Sequence, residues 1–72
     1  MCEPYELLAN AIVLLAVDDY RRALKKLKSN PQYSPALYTI REVERFFRSR
    51  WYAELTSVNP EKLILELKKE VA

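Results

Sequence analysis

The sequence predicts an all-α fold: one domain over residues 1–72, with a long N-terminal helix packed against two shorter helices and a short connecting helical turn, the whole forming a helical homo-oligomer. Three observations carry this. Start signals built on proline recur at Pro4, at Ser34-Pro35 and at Asn59-Pro60. Between them the apolar residues fall at helical spacing. Glycine is absent, where average usage of about 7% would supply roughly five.

The first helix is expected from Pro4, whose fixed φ suits a first turn, to about Lys28. Glu3 and Glu6 favour the positive end of its dipole, and Lys25, Lys26 and Lys28 favour the negative end. At 1.5 Å per residue it is about 37 Å long, which is long for so small a chain. Ser29 to Tyr33 reads as a loop. Ser34 then serves as cap and Pro35 as first-turn proline of a second helix reaching Arg48 or Ser49. On that helix Ile40, Val43 and Phe47 share one face, and Arg41, Arg45 and Arg48 the opposite one, with Tyr38 beside them. A longer helix would turn Arg50 to the apolar side, so a break is expected near Ser49, followed by a short helical turn holding Trp51, Tyr52 and Leu55. Asn59-Pro60-Glu61 opens the last helix, Pro60 to Val71, with Leu63, Ile64, Leu67 and Val71 inward and Leu65 left for a partner.

From Leu7 to Val17 only Asn10 is polar, so the first helix is apolar all round and must be buried all round. A 72-residue domain buries only roughly 60% of its unfolded surface, and it is marginal alone. Two short helices hardly cover every side of the long one. The expectation is therefore that a second copy meets the stretch Leu7 to Val17, with Asn10 able to fix register if it lies in that contact. The alternative is a monomer whose shorter helices wrap the N-terminal half.

Charge is unevenly placed. Residues 1 to 20 hold four acids and no base, and residues 21 to 52 hold nine bases and two acids. Such a block draws anions. Its first run, Arg21, Arg22, Lys25, Lys26 and Lys28, is also explained by helix-spaced pairing with Asp18 and Asp19 and by the helix dipole. Its second run is denser: residues 41 to 52 contain Arg41, Arg45, Arg48, Arg50, Phe46, Phe47, Trp51 and Tyr52. Glu44 to Arg48 and Glu42 to Arg45 can pair along the helix, and the rings can be core. That account leaves the repeated choice of arginine unexplained, as it does the closeness of Arg41 and Arg45, which repel mildly unless an anion lies between them. The candidate ligand-binding residues are Arg41, Arg45, Arg48, Arg50, Trp51 and Tyr52, with Tyr20 and Arg21 from the first helix.

Other chemistry is poorly supplied. Without glycine the P-loop and the dinucleotide fingerprint are excluded. There is no histidine to act as a base, the hydroxyls lack an identifiable partner, and the acids interleave with bases, so no enzyme is expected. One cysteine, Cys2, excludes an internal disulfide and, without histidine, the familiar zinc spacings, so neither metal nor cofactor is expected. The apolar run of 11 residues is too short for a bilayer, which needs about 20. With acids where a secretory signal carries bases, a cytoplasmic protein with no membrane partner is expected.

The stretches Ala11 to Leu24 (AIVLLAVDDYRRAL) and Glu42 to Thr56 (EVERFFRSRWYAELT) resemble a group of small helical proteins encoded in phages and prophages of Gram-positive bacteria. The likeness covers most of the chain. The group often carries an Asp-Gly pair before the last helix, where Asn59-Pro60 stands here. The resemblance implies a protein that acts by binding a host component, as in counter-defence. Three functions then compete. The first is sequestration of a small anionic signalling nucleotide at subunit interfaces, with Arg41, Arg45 and Arg48 on the phosphates and Tyr20, Trp51 or Tyr52 stacked on a base. The second is direct inhibition of a host protein through the arginine-aromatic surface. The third is nucleic-acid binding.

Overall fold

Prolines set two of the helix starts and a serine sets the break. The computed structural model describes residues 4–72, with side chains from Leu7 onward. Cys2 and Glu3, read above as a free thiol and a helix-start acid, lie outside the described residues, as does the Glu6 side chain. Four helices follow in order: α1 (Pro4–Ser29), α2 (Ser34–Phe47), α3 (Arg50–Leu55) and α4 (Pro60–Val71). Among the described residues no helix is long and apolar enough to cross a membrane.

Boundaries of α1 and α2 differ by a residue or so from expectation: α1 takes in Ser29, and α2 stops at Phe47 with Arg48 as its C-cap. Tyr33, not Ser34, is the N-cap of α2; its backbone is extended and its carbonyl accepts the first-turn N–H groups of Ala36 at 3.1 Å and Leu37 at 3.2 Å. Ser34 is thereby already helical, and no side chain caps this end. The break at Ser49 is built as a true cap: its hydroxyl donates to the Phe46 carbonyl at 2.6 Å and accepts the Tyr52 N–H at 3.2 Å. One side chain thus closes α2 and opens α3. Asn59 opens α4, its side-chain oxygen accepting N–H groups of Glu61 at 2.9 Å and Lys62 at 3.2 Å.

α1 is the spine, and α2, α3 and α4 all pack on it. Val13, Ala16, Val17, Tyr20 and Leu24 form its inner stripe, meeting Ile40, Val43 and Phe47 from α2 and Leu63, Ile64 and Leu67 from α4. The centre is aromatic. Phe47 lies 5.7 Å from Tyr20 and 5.6 Å from Tyr52, centroid to centroid, and Phe46 lies 5.6 Å from Trp51 in an edge-to-face contact. Such pairs contribute about 0.5–1.5 kcal/mol each beyond the area they bury. The Tyr52 hydroxyl also donates to the Val58 carbonyl at 3.1 Å, fixing the connection into α4.

The packing is one-sided. Leu7, Leu8, Leu14 and Leu15 remain 58%, 61%, 64% and 67% exposed. The shorter helices therefore do not wrap the N-terminal half of α1. Leu65 is also half-exposed on α4.

Replacing Asn59 by alanine removes the two cap hydrogen bonds without touching the core, and about 1 kcal/mol of stability is expected to go with them. For a domain this size that lowers Tm by about 4–8 °C, readable by circular dichroism.

Candidate functional site

The eight candidate residues do not converge; the fold sorts them into three groups. Tyr20 and Tyr52 are core, 0% and 1% exposed. Neither ring has a face free for a base, which corrects the stacking role expected for them. Phe47 of α2 and Ile64 and Leu67 of α4 close over Tyr20, a tertiary cover that spacing along α1 does not reveal. Tyr52, turned by the break at Ser49, points inward to Phe47 and away from the arginine face.

The second group is arginine already engaged. Arg48 grips Glu61 of α4 with two donors, Nε to Oε2 at 2.7 Å and Nη2 to Oε1 at 3.1 Å, and gives Nη1 to Glu44 at 3.3 Å. Its planar fork is matched to those carboxylates, as the bidentate geometry of arginine allows. Arg21 reaches Glu70 of α4 at 3.1 Å. Both are clasps between helices. Spacing along one helix revealed the Glu44 partner of Arg48 but not Glu61, which lies 13 positions away.

Glu44 stands at the centre of this arrangement. Its carboxylate accepts the Tyr20 hydroxyl at 2.6 Å, meets Arg48 at 3.3 Å and lies 3.8 Å from the Lys68 ammonium. One acid on α2 thus ties α1 and α4 together. Burial, and then the hydrogen bond to Glu44, push the Tyr20 phenol well above its ordinary pKa; burial raises that of Tyr52. The hydrogen bond from Arg48 pulls the Glu61 carboxyl below its ordinary range.

The third group is open. Arg41, Arg45 and Arg50 are exposed, and so is Trp51 at 56%. Arg45 has only a loose contact with Glu42 at 3.7 Å, and among the described residues Arg41 and Arg50 have no carboxylate in ion-pairing range. Trp51 leans on Phe46 at one end of an apolar groove of about 330 Å³ between α1 and α2. Ile12, Leu15, Ala16, Val43 and Phe46 line it, with Asp19 and Glu42 beside them. None of the described concavities is lined by Arg41, Arg45 or Arg50. Among the described residues no group of acids, cysteines or histidines is placed to hold a metal ion.

A four-helix chain with an aromatic core, internal arginine clasps and an open arginine face is defined by this geometry. No protein-family model, no curated protein and no solved structure matches it.

Two titrations check the site. The raised phenol values mean that Tyr20 and Tyr52 favour folding while protonated; that contribution is whole below the ordinary tyrosine range and is lost as pH rises through the folded values. Absorbance at 295 nm is expected to show two of the five tyrosines ionising only as the helices melt. Glu61 has the opposite sign. Its lowered pKa adds stability above the ordinary carboxylate range that disappears as pH falls through the folded value. Arg48→Met is expected to flatten the acid limb of Tm against pH.

Proposed function

We propose that this chain acts by binding and not by catalysis, as a homo-oligomer joined along the outer face of α1, presenting the arginine face of α2 to a partner protein. The observation that carries the reading is the exposed row Leu7, Leu8, Leu14 and Leu15. A contiguous apolar face on a small chain marks an interaction surface. The open cations support the second half. Arg41, Arg45 and Arg50, with Tyr38 and Trp51 near them in sequence, are exposed and are of residue types enriched at interface hot spots, and the three arginines line no described concavity. A face without a concavity suits a macromolecular partner better than a small molecule, which needs enclosure. In the phage setting that the sequence resembles, the partner is a host protein met in the host cytoplasm, and the role is counter-defence.

A second reading keeps the small anionic nucleotide. Arg41 and Arg45 stand one helical turn apart, and an anion between them relieves their repulsion. A single chain supplies no enclosure there, so the pocket would need a second subunit.

Light scattering over a concentration series from micromolar to millimolar is expected to give a multiple of 8.5 kDa; a clean single-chain mass throughout removes the oligomer. Arg41→Glu with Arg45→Glu is expected to leave the melting curve unchanged and to abolish capture of a host protein. Capture that survives the reversal counts against the arginine face. If a nucleotide is the ligand instead, one member of a cyclic and ADP-ribose-type panel raises Tm by several degrees, and the double reversal removes that rise.

A further inference from the structure

The outer face of α1 has a definite pattern. Leu7, Ala11, Leu14 and Asp18 step by four, three and four, with Leu8 and Leu15 alongside. At about 100° per residue they lie opposite the inner stripe of Val13, Ala16, Val17 and Tyr20. This is a short coiled-coil seam with a small residue at its middle. α2, α3 and α4 cover the other side, and at Leu15 the seam borders the groove lined by Val43, Phe46 and Trp51.

Resting on the oligomer reading above, we infer that the occupant is the α1 of a second copy, running antiparallel about a two-fold axis beside Ala11. In that register Leu7 of one copy faces Leu15 of the other, and Leu8 faces Leu14. Ala11 meets its own mate, where its lack of bulk lets the backbones approach.

Charge selects the direction. Asp18, which ends the seam, comes beside Pro4 of the second copy, the positive end of a helix dipole. The bases Lys25, Lys26 and Lys28 project beyond the contact at opposite ends of the pair. A parallel pair would set Asp18 against Asp18, Arg22 against Arg22 and Lys25 against Lys25. Like charges so placed are unfavourable. Asn10 lies about a quarter turn from the centre of the seam and does not face its mate in this arrangement, so register comes from the leucines and Ala11.

Area supports an association of this kind. Four leucines about six-tenths exposed, with their flanking side chains, offer on the order of 500 Å² per copy. Two copies then bury on the order of 1,000 Å², the lower bound for a specific interface. At that size the dimer is expected to be reversible and concentration-dependent.

Cysteine pairing reads the direction. In a Cys2→Ser background, Ala11→Cys is expected to cross-link to itself under mild oxidation, while Leu7→Cys alone and Leu15→Cys alone do not. A mixture of the last two, one marked by a mass tag, is expected to give the mixed disulfide. Self-linking of Leu7→Cys overturns the antiparallel arrangement. A dimer by light scattering in which none of these cysteines links places the contact elsewhere and overturns the inference while leaving the oligomer standing. A single-chain mass at all concentrations up to millimolar overturns both. Leu14→Glu, on an exposed position, is expected to give that single-chain mass without loss of helicity; a dimer that survives it refutes the seam.

Discussion

The Glu44 carboxylate is shared by three helices, and the rest of the structure depends on it. It sits on the edge of the aromatic core, accepts a hydrogen bond from the buried Tyr20 hydroxyl, and anchors the Arg48 guanidinium that reaches on to α4. A tyrosine buried without a partner for its hydroxyl costs a few kcal/mol. Glu44 removes that cost and holds the ring where Phe47 can pack on it. Without this contact the hydroxyl of the buried Tyr20 would lose its hydrogen-bond partner. The aromatic cluster would lose its link to the spine.

Local signals made the element order legible. Pro4 and Pro60 mark their helix starts, Asn59 caps α4 as its side chain and position suggest, and the reversal of face at Arg50 revealed the break at Ser49. Each is decided within a turn or two of chain. Tyr33 displaced Ser34 as the cap because a backbone carbonyl, which any residue has, closed the first turn one position early.

The candidate site was less legible, and for a physical reason. Whether an arginine is free or spent depends on carboxylates brought in by tertiary contact. Arg48 meets Glu61 and Arg21 meets Glu70, across 13 and 49 positions. Composition cannot distinguish such a clasp from an open cation. The same holds for tyrosine: Tyr20, Tyr38 and Tyr52 look alike in sequence, yet two are sealed and Tyr38 is 65% exposed. The leucines of α1 were easier. An all-round apolar helix in a chain with too few partners must leave some of that surface open, and the arithmetic of cover needs no coordinates.

The Lys28 ammonium, near the end of α1, donates to the carbonyls of Val71 at 3.1 Å and Ala72 at 3.4 Å, so the C-terminal ends of the two helices meet. Each helix end carries roughly half a negative charge. Two ends side by side present about one full negative charge to Lys25, Lys26, Lys28, Lys68 and Lys69. Much of the basic character counted at that end of the chain therefore answers the protein's own backbone. The field left over for an external polyanion is weaker there than the number of lysines implies, and the arginines of α2 become the larger share of what the molecule can offer.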